Sequence, residues 1–314
     1  MKPPLFNNGK RYNDYSSFIK QRFSQRVQKV SINTGFSCPN RDGTKGLGGC
    51  TYCNNNSFKP FYTKPNKSVS QQLEEGIAFF SKKYKTQQYL AYFQSYTNTY
   101  TDLDILREVY WEAVNYPGVI GLVVGTRPDC ISDDILNLLE EISKTHYVAL
   151  EFGVETTLNR TLASINRCHT YEETLLAYDE AAGRGLHLGA HMILGLPGES
   201  KEEMLQHAIE VSKLPIQTLK LHHLQIIKNT QMAKQLNDTP DMFDLFQPDE
   251  YVDFVTEFIG LLRPDIILER FIAEAPPSLL IAPLWNGLKN YEIVSRIEKV
   301  LESRNTWQGK AYAQ

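Results

Sequence analysis

The sequence predicts an α/β fold built from successive strand–helix repeats. Apolar stretches typical of strands alternate with stretches of helical periodicity, and six such repeats fit between residues 28 and 262. No linker and no low-complexity tract interrupts the series, and the 314-residue chain is 42% hydrophobic, which is enough for one large core. Because repeated strand–helix units form parallel sheets with right-handed crossovers, the repeats predict an open doubly wound sheet or a partial barrel.

Each element of the series follows from its own pattern, in chain order. The predicted strands are residues 27–36, 88–96, 119–126, 147–155, 186–198 and 218–228. The predicted helices are residues 68–84, 102–115, 132–145, 171–185 and 200–214. Ser132 is the predicted N-cap of the third helix, and Ser200 with Glu203 is a predicted capping box at the start of the fifth. After about residue 262 the pattern changes to a strand, a proline-broken loop and a helix with an aromatic tail.

The two ends of the chain differ from the repeats. Residues 1–67 carry twelve Lys or Arg against two acidic residues, so this segment is +10 and the remainder −13 within a net charge of −3. We predict a basic N-terminal arm at residues 1–27, a barrel at residues 28–262 and a capping segment at residues 263–314. The basic helix predicted at residues 18–29 either binds an anionic partner such as RNA or is a solvated surface. Its candidates for RNA contact are Lys20, Arg22, Arg26 and Lys29.

Composition excludes several classes of protein. The sequence contains no run of roughly 18 apolar residues, so it predicts no membrane span, and residues 1–17 lack the apolar stretch of a signal peptide. Five cysteines are few for this length, and their odd number argues against a secreted disulfide scaffold. We therefore predict a cytoplasmic protein without a membrane anchor, in which clustered thiols serve as metal ligands.

Polar residues and glycines follow five of the predicted strands. They are the cysteine loop at residues 38–55, "FQSYTNTY" at 93–100, "GTRPD" at 125–129, "EFGVE" at 151–155 and "HMILGLPGE" at 191–199. In both sheet architectures, ligands gather at the carboxyl ends of parallel strands. We therefore expect these five segments to form one site.

The cysteine loop holds Cys38, Cys50 and Cys53 with the spacing C-x11-C-x2-C. Three thiolates bind zinc with a fourth ligand, or a [4Fe–4S] cluster with one iron left open to a small molecule. The loop contains no His and no fourth Cys to complete a structural zinc site, so the spacing favours the cluster. Its four glycines allow the backbone to approach such a cluster closely.

Four motifs carry a family resemblance over roughly residues 10–310. They are "CPNRDGTKGLGGCTYC", "GTRPDC", "EFGVETTLNRTLASINRCHT" and "HMILGLPGES". With them the chain resembles the radical S-adenosylmethionine (SAM) enzymes, in the branch of the Elongator catalytic subunit and the oxygen-independent coproporphyrinogen dehydrogenases. It is most similar to a small bacterial family linked to wobble-uridine modification in tRNA. The resemblance implies a partial (β/α)6 TIM-like barrel, a [4Fe–4S] cluster that cleaves SAM, and hydrogen abstraction from a substrate.

The same resemblance implies roles for individual residues. Cys38, Cys50 and Cys53 match the cluster ligands, and Tyr52 the aromatic residue beside the cluster. The SAM contacts that it implies are Gln94, Ser95, Thr97 or Asn98 at the methionine amino group, Thr126 facing the ribose, and Glu155 and Arg167 holding the ribose and the carboxylate. His191 stands where the porphyrin branch has an acidic residue, so its contact with SAM is left open.

Three functions fit these observations. The family link implies conversion of 5-carboxymethylaminomethyluridine to 5-aminomethyluridine in tRNA, with an electron donor such as flavodoxin or ferredoxin. A second interpretation keeps the radical chemistry but takes a porphyrin-like or other small metabolite. A third is a zinc-containing RNA-binding module without catalysis.

Four further residues are open at this stage. Cys130 and Cys168 are too few for a second cluster and are interpreted as small apolar fillers. Trp285 and Trp307 either stack on a base or pack in the core. The sequence gives no prediction of the oligomeric state.

Overall fold

The computed structural model describes residues 6, 9–84 and 87–313. Residues 1–5, 7 and 8 of the predicted N-terminal arm lie outside the described residues. The strands are β1 (Val27–Ile32), β2 (Gln88–Phe93), β3 (Val119–Thr126), β4 (Tyr147–Glu155), β5 (His187–Leu194), β6 (Thr218–His223), β7 (Ile226–Ile227), β8 (Ile267–Arg270) and β9 (Leu280–Ala282). β1 to β6 and β8 form one parallel sheet in sequential order, and β7 pairs antiparallel with β9. The sheet curls into a half-barrel, which confirms the predicted partial barrel.

The helices follow the strands of the sheet and cover its outer face. They are α1 (Tyr15–Arg22), α2 (Val69–Ser81), α3 (Leu103–Val114), α4 (Asp133–Ser143), α5 (Asn159–Ser164), α6 (Tyr171–Ala181), α7 (Lys201–Lys213), α8 (Gln231–Asp238), α9 (Pro248–Leu261) and α10 (Asn290–Ser303). Ser132 accepts a hydrogen bond from Ile135 N, and Ser200 and Glu203 form the predicted capping box. Within the described part of the chain, no helix is long and apolar enough to cross a membrane.

The main hydrophobic core lies between the outer face of the sheet and the helices. Alternate strand residues such as Ile32, Phe93 and Phe152 point outward into it. Phe152 packs edge-on against Tyr178 of α6, with 5.0 Å between ring centroids. This core leaves the other set of alternate residues to line the inside of the half-barrel.

The inside of the half-barrel holds a buried network of four charges. Lys29 Nζ of β1 lies 3.1 Å from Glu151 Oε1 of β4 and 2.5 Å from Glu269 Oε1 of β8. Lys220 Nζ of β6 lies 2.5 Å from Glu151 Oε2 and 3.3 Å from Glu269 Oε1. Burial opposes ionisation of Glu151, but the ammonium groups of Lys220 and Lys29 hold the pKa of its carboxyl well below the usual range. Each lysine thus contacts both glutamates, and the network links the first and last strands of the sheet.

The predicted N-terminal basic helix is present, but it ends at Arg22 instead of residue 29, and residues 27–29 belong to the strand predicted at 27–36. α1 begins after its N-cap Asp14 and ends at Arg22, and β1 begins at Val27 because this segment pairs with β2 along its whole length. Lys29 is therefore a strand residue whose side chain is 17% exposed and bound to two glutamates. It is not free to contact phosphate, so we withdraw it from the RNA-contact candidates.

The other basic residues of the arm are exposed at the amino ends of the strands. Phe23 packs against Tyr147, the first residue of β4, and Arg26 directly precedes β1. Lys20, Arg22 and Arg26 are exposed there. They lie at the end of the sheet opposite to the loops that carry the polar motifs.

The segment predicted to cap the barrel also extends the sheet. β8 pairs in parallel with β6 and adds a seventh strand beyond the six repeats. The strand was predicted at this place, but its pairing with β6 was not, because residues 224–266 separate the two strands in the chain.

The four-charge network predicts a large difference between two matched substitutions. Glu151→Gln leaves two buried lysines short of one partner, so we expect a loss of about 3–5 kcal/mol in the free energy of unfolding. Glu141→Gln makes the same chemical change in the exposed pair with Arg107, at 2.7 Å, and the expected loss is about 0–1 kcal/mol. Urea unfolding of both variants measures the two values. Equal small losses would show that the network does not hold the barrel.

Candidate active site

A cavity of about 270 Å³ opens at the carboxyl ends of the strands. Ten of the predicted cofactor residues line it: Cys38, Cys50, Tyr52, Cys53, Gln94, Thr97, Thr126, Glu155, Arg167 and His191. The five strand-end segments therefore meet at one place, as expected from parallel strands in sequential order. Ser95 and Asn98 do not line the cavity.

The cysteine loop is fixed by hydrogen bonds to the segment after α5. Asn166 Nδ2 donates to Leu47 O at 3.2 Å and to Gly49 O at 2.9 Å, and Asn40 Nδ2 donates to Asn166 O. Gly49 has a φ of +81°, and a β-carbon there would lie 2.9 Å from Arg41 Nε, so glycine is required at this turn. These contacts hold the loop against the sheet without a disulfide, and all five cysteines are free.

N–H donors surround the sulfur atoms of the loop. Asn40 Nδ2 lies 3.5 Å and Arg167 Nη1 3.6 Å from Cys50 Sγ, and Asn55 Nδ2 lies 3.8 Å from Cys53 Sγ. Burial raises the pKa of the Cys53 thiol to about 11, so bound metal must displace its proton. Such donors stabilise negative charge on sulfur and are typical of thiolates that hold iron–sulfur clusters.

The three thiols and their donors therefore fit an iron–sulfur cluster. Across the described ranges, no three His, Cys, Asp or Glu side chains are grouped so that they could hold a metal ion. Cys38, Cys50 and Cys53 nevertheless line one cavity, which leaves the space in front of the loop open to a larger group.

Arg167 and Glu155 form an ion pair next to the cysteine loop. Arg167 Nη2 lies 3.4 Å from Glu155 Oε1 and donates to Gly153 O at 2.6 Å, while Nε donates to His169 Nε2 at 3.0 Å. A bulge between Gly153 and Glu155, with φ of +67° at Glu155, turns the glutamate toward the arginine. A β-carbon at Gly153 would lie 2.5 Å from Glu155 Oε1 and 2.6 Å from Arg167 Nη2. The pair therefore depends on glycine at position 153.

The loop after β2 contains both cavity-lining and structural residues. Asn98 Nδ2 donates to Gly125 O at 2.8 Å, and Tyr110 Oη donates to Asn98 O at 2.6 Å. Asn98 is fully buried and ties this loop to the end of β3, which explains why it does not reach the cavity. Gln94 and Thr97 are the members of "QSYTNT" that line the cavity among the four predicted candidates.

Glu151 of the four-charge network also lines the cavity. His191 Nε2 lies 2.9 Å from Glu151 Oε2, and Tyr92 Oη lies 3.2 Å from Lys220 Nζ. His191, which stands where the porphyrin branch has an acidic residue, thus contacts the buried Glu151 of the neighbouring strand β4.

Sequence reasoning missed several polar residues of the cavity and of the cysteine loop. Asn40 and Asn55 donate to the thiols of Cys50 and Cys53, and both stand within the cysteine loop at residues 38–55. Arg127 of "GTRPD" lines the cavity, binds Asp129 through Nε and Nη2 at 2.9 Å, and has no hydrogen-bond partner for Nη1. Burial opposes ionisation of Asp129, but Arg127 lowers its pKa to about 2. His222 and Arg270 also line the cavity, and no motif pointed to them.

The four residues left open by the sequence lie outside the cavity lining. Cys168 Sγ donates to Asn40 Oδ1 at 2.9 Å, and Cys130 Sγ lies 3.9 Å from Asp129 Oδ1, so both contact polar groups instead of filling apolar space. Trp285 is buried, stacks on His223 at 3.9 Å between ring centroids and donates Nε1–H to Phe246 O at 2.7 Å. Trp307 is buried as well. Both tryptophans therefore pack in the core.

Two protein-family models match the chain. The model described as "Radical SAM superfamily" matches residues 32–210, and the model described as "Radical_SAM C-terminal domain" matches residues 216–303. The matched regions contain all three loop cysteines and the strand β8, respectively.

Two curated relatives and one solved structure show how far the likeness extends. The chain is 32% identical over 309 residues to the Bacillus subtilis (strain 168) protein YtqA, described as uncharacterized, covering 98% of this chain and 95% of the relative. It is 20% identical to a Methanocaldococcus jannaschii "tRNA uridine(34) acetyltransferase", over 58% of this chain and 33% of the relative. The structure of Methanocaldococcus infernus Elp3 superposes with a TM-score of 0.68 at 15% identity, over 90% of this chain and 64% of that chain. The likeness to Elp3 shows a shared fold, and this chain spans about a third of the length of the acetyltransferase.

Proposed function

We propose that this chain, which belongs to the radical SAM superfamily, acts on a modified wobble uridine of tRNA. As a member of this family it is an enzyme that uses a [4Fe–4S] cluster and SAM, so the non-catalytic zinc module considered from the sequence is wrong. The observation that carries the proposal is that three free cysteines, five strand-end segments and an exposed basic and aromatic segment meet at one cavity.

In this proposal Cys38, Cys50 and Cys53 would hold the cluster, which would leave one iron without a protein ligand for SAM. The bound cluster supplies the electron that cleaves SAM and so starts hydrogen abstraction from the substrate. The amide groups of Asn40 and Asn55 and the guanidinium of Arg167 donate toward the sulfur atoms, which stabilises the thiolates.

The residues of the neighbouring wall bind SAM. Thr126 and Glu155 end β3 and β4 at the cavity and offer acceptors for ribose hydroxyls. Arg167 lies between Glu155 and Cys50 and supplies positive charge beside the carboxylate of SAM. Gln94 and Thr97 are the candidates for its amino group, and Tyr52 packs beside the adenine.

The RNA surface lies at the mouth of this cavity, in the segment "FKPFYTK" at residues 58–64. Phe61 is 72% exposed, and Phe58 is 37% exposed and lines the cavity. Among the described residues, Lys59, Lys64 and the nearby Lys228 form no ion pair, and Asn54 of the cysteine loop donates to Lys228 O at 2.8 Å. Lysines that neutralise phosphates beside aromatic rings that stack on bases are the usual means of binding single-stranded RNA.

The substrate that we propose is 5-carboxymethylaminomethyluridine, and the product is 5-aminomethyluridine. Removal of one hydrogen atom and one electron from the methylene carbon of the carboxymethyl group would give an imine, with SAM as the two-electron oxidant. Water would then hydrolyse the imine to the aminomethyl nucleoside and glyoxylate. The tRNA uridine named for the M. jannaschii relative supports a nucleoside at this position of tRNA. We further propose a cytoplasmic location. We also propose a reductant such as flavodoxin or ferredoxin, because radical SAM chemistry needs an electron.

Changing Cys38, Cys50 and Cys53 together to Ala is expected to abolish iron binding. The anaerobically purified wild type should contain about four irons per chain, as one cluster requires. The matched control changes Cys130 and Cys168 to Ala and should retain the iron, because neither lines the cavity. Iron and sulfide analysis gives the answer, and a triple variant that keeps its iron would refute the ligand assignment.

Gly153→Ala is expected to weaken SAM binding by about 1.5–3 kcal/mol, the usual contribution of a hydrogen bond to a charged group. The added β-carbon displaces Glu155 and Arg167, whereas iron content should not change. Gly260→Ala is the matched control, since a β-carbon there meets nothing within 4 Å. The measurement is the equilibrium affinity for SAM of each variant with its cluster bound and oxidised. An unchanged affinity in Gly153→Ala would place SAM elsewhere.

A pair of triple charge reversals tests where tRNA binds. Changing Lys59, Lys64 and Lys228 to Glu should lower tRNA affinity and flatten its dependence on salt, because fewer counterions are released. Changing Lys20, Arg22 and Arg26 to Glu alters the net charge equally but at the opposite end of the sheet, so affinity and salt slope should stay near wild type. Filter binding at several salt concentrations measures both quantities. Loss in the arm variant alone would return the RNA surface to the arm.

A further inference from the structure

One part of the cavity wall has no role in the function proposed above. It is formed by β5, β6, β8 and the residues after them, and it includes His191, His222, Gln225, Arg270 and Glu274. Within this wall, Arg270 is the residue whose charge is unexplained.

A bulge brings Arg270 into the cavity. Leu219 pairs with Leu268, but the next pair is Lys220 with Arg270, so Glu269 is an extra residue in β8. In a regular strand Glu269 and Arg270 would point to opposite faces of the sheet. The bulge instead lets Glu269 reach the four-charge network while Arg270 lines the cavity.

The charge of Arg270 is not balanced by its neighbours. The two lysines and two glutamates of the network neutralise one another. Arg270 adds one positive charge and makes no hydrogen bond or ion pair with any described residue. Glu274 also lines the cavity, but its carboxylate accepts from Asn290 N at 3.2 Å and does not pair with Arg270. Arg270 is exposed, so water solvates its guanidinium, which remains free to bind an anion from outside the chain.

His222 adds an unpaired polar atom to the same wall. Its Nε2 is buried and has no hydrogen-bond partner. The ring of His191 lies 5.6 Å away between centroids. Burial and then the nearby charge of Arg270 lower the pKa of His222 well below its usual range, so its imidazole is neutral. In a neutral imidazole, Nε2 is either a donor or an acceptor, depending on the tautomer.

We propose that Arg270, with His222 as a second contact, binds the carboxylate of the substrate at this part of the cavity wall. This inference rests on the proposed function, in which the uridine carries a carboxymethylaminomethyl group. The planar guanidinium fork pairs with a carboxylate through two parallel hydrogen bonds, which fixes the position of the group as well as its charge. The carboxymethyl group then lies between Arg270 and the cysteine loop, where its hydrogen is abstracted.

The test compares two tRNAs that share every phosphate and differ in the carboxylate. One bears 5-carboxymethylaminomethyluridine and the other 5-aminomethyluridine at the wobble position. Without reductant, the wild-type holoenzyme should bind the carboxylated tRNA about tenfold or more tightly than the other, as a hydrogen-bonded charge pair provides. Arg270→Gln should bind both tRNAs equally, with the affinity of the wild type for the aminomethyl form. His222→Phe should reduce the preference in part.

The other possible results would each contradict one part of the proposed carboxylate subsite. If Arg270→Gln weakens binding of both tRNAs to the same extent, Arg270 contacts a phosphate and the carboxylate subsite is wrong. If Arg270→Gln keeps the preference, the subsite is also wrong, and an unchanged preference in His222→Phe removes His222 from it. Arg296→Gln, the same change in an exposed arginine of α10 paired with Asp249, is the control and should keep the preference.

The failure of the subsite is distinguishable from the failure of the proposed function. If the wild type converts the carboxylated tRNA while Arg270→Gln keeps the preference, the subsite alone fails. If the wild type neither converts nor prefers that tRNA, the proposed function fails and the subsite with it. Iron content and SAM binding of Arg270→Gln should equal those of the wild type, because Arg270 forms no hydrogen bond or ion pair with the residues proposed to hold the cluster and SAM.

Discussion

The buried network of Lys29, Glu151, Lys220 and Glu269 is the interaction on which the shape of the site depends. A seven-stranded parallel sheet has two free edges, and β1 and β8 are those edges. Lys29 of β1 and Glu269 of β8 lie 2.5 Å apart, so the sheet must curl until its edges approach. Four charges inside a protein are tolerated only when each has partners, and here each lysine contacts both glutamates. This requirement fixes the curvature of the half-barrel.

The curvature in turn brings the strand-end loops to one cavity. Because the strands follow one another in sequential order, every loop at their carboxyl ends faces the same space. Two bulges then direct the charged residues that matter most, one placing Glu155 beside Arg167 and the other placing Arg270 in the cavity lining. The cavity thus lies between a wall with free thiols and N–H donors and a wall with an unpaired guanidinium. In our proposal the first wall holds the cluster and SAM, and the second holds the substrate.

The sequence predicted those parts of this arrangement that depend on local pattern. β3 and β4 have the predicted bounds because β3 is a continuous apolar run and β4 is apolar on both sides of Glu151, and the cysteine motif and the other strand-end segments meet because parallel topology requires it. The features that failed depend on pairing between distant segments. Lys29 falls in both the helix predicted at residues 18–29 and the strand predicted at residues 27–36, because both local patterns include it, and pairing with β2 makes it a strand residue. His222 and Arg270 carried no motif, and the bulge that exposes Arg270 follows from the register of β8 on β6. No local pattern reports that register.

The central claim is that this cavity performs radical SAM chemistry on a carboxymethylaminomethyl uridine of tRNA. The most direct measurement incubates the anaerobically reconstituted enzyme with SAM, a reductant and tRNA that bears this nucleoside, followed by mass spectrometry of the digested nucleosides and of 5′-deoxyadenosine. Our account predicts conversion of the carboxymethylaminomethyl nucleoside to its aminomethyl form, with 5′-deoxyadenosine formation stimulated by this tRNA and not by tRNA lacking the modification. Unchanged nucleosides, together with 5′-deoxyadenosine formed at the same rate with and without the modified tRNA, would contradict it.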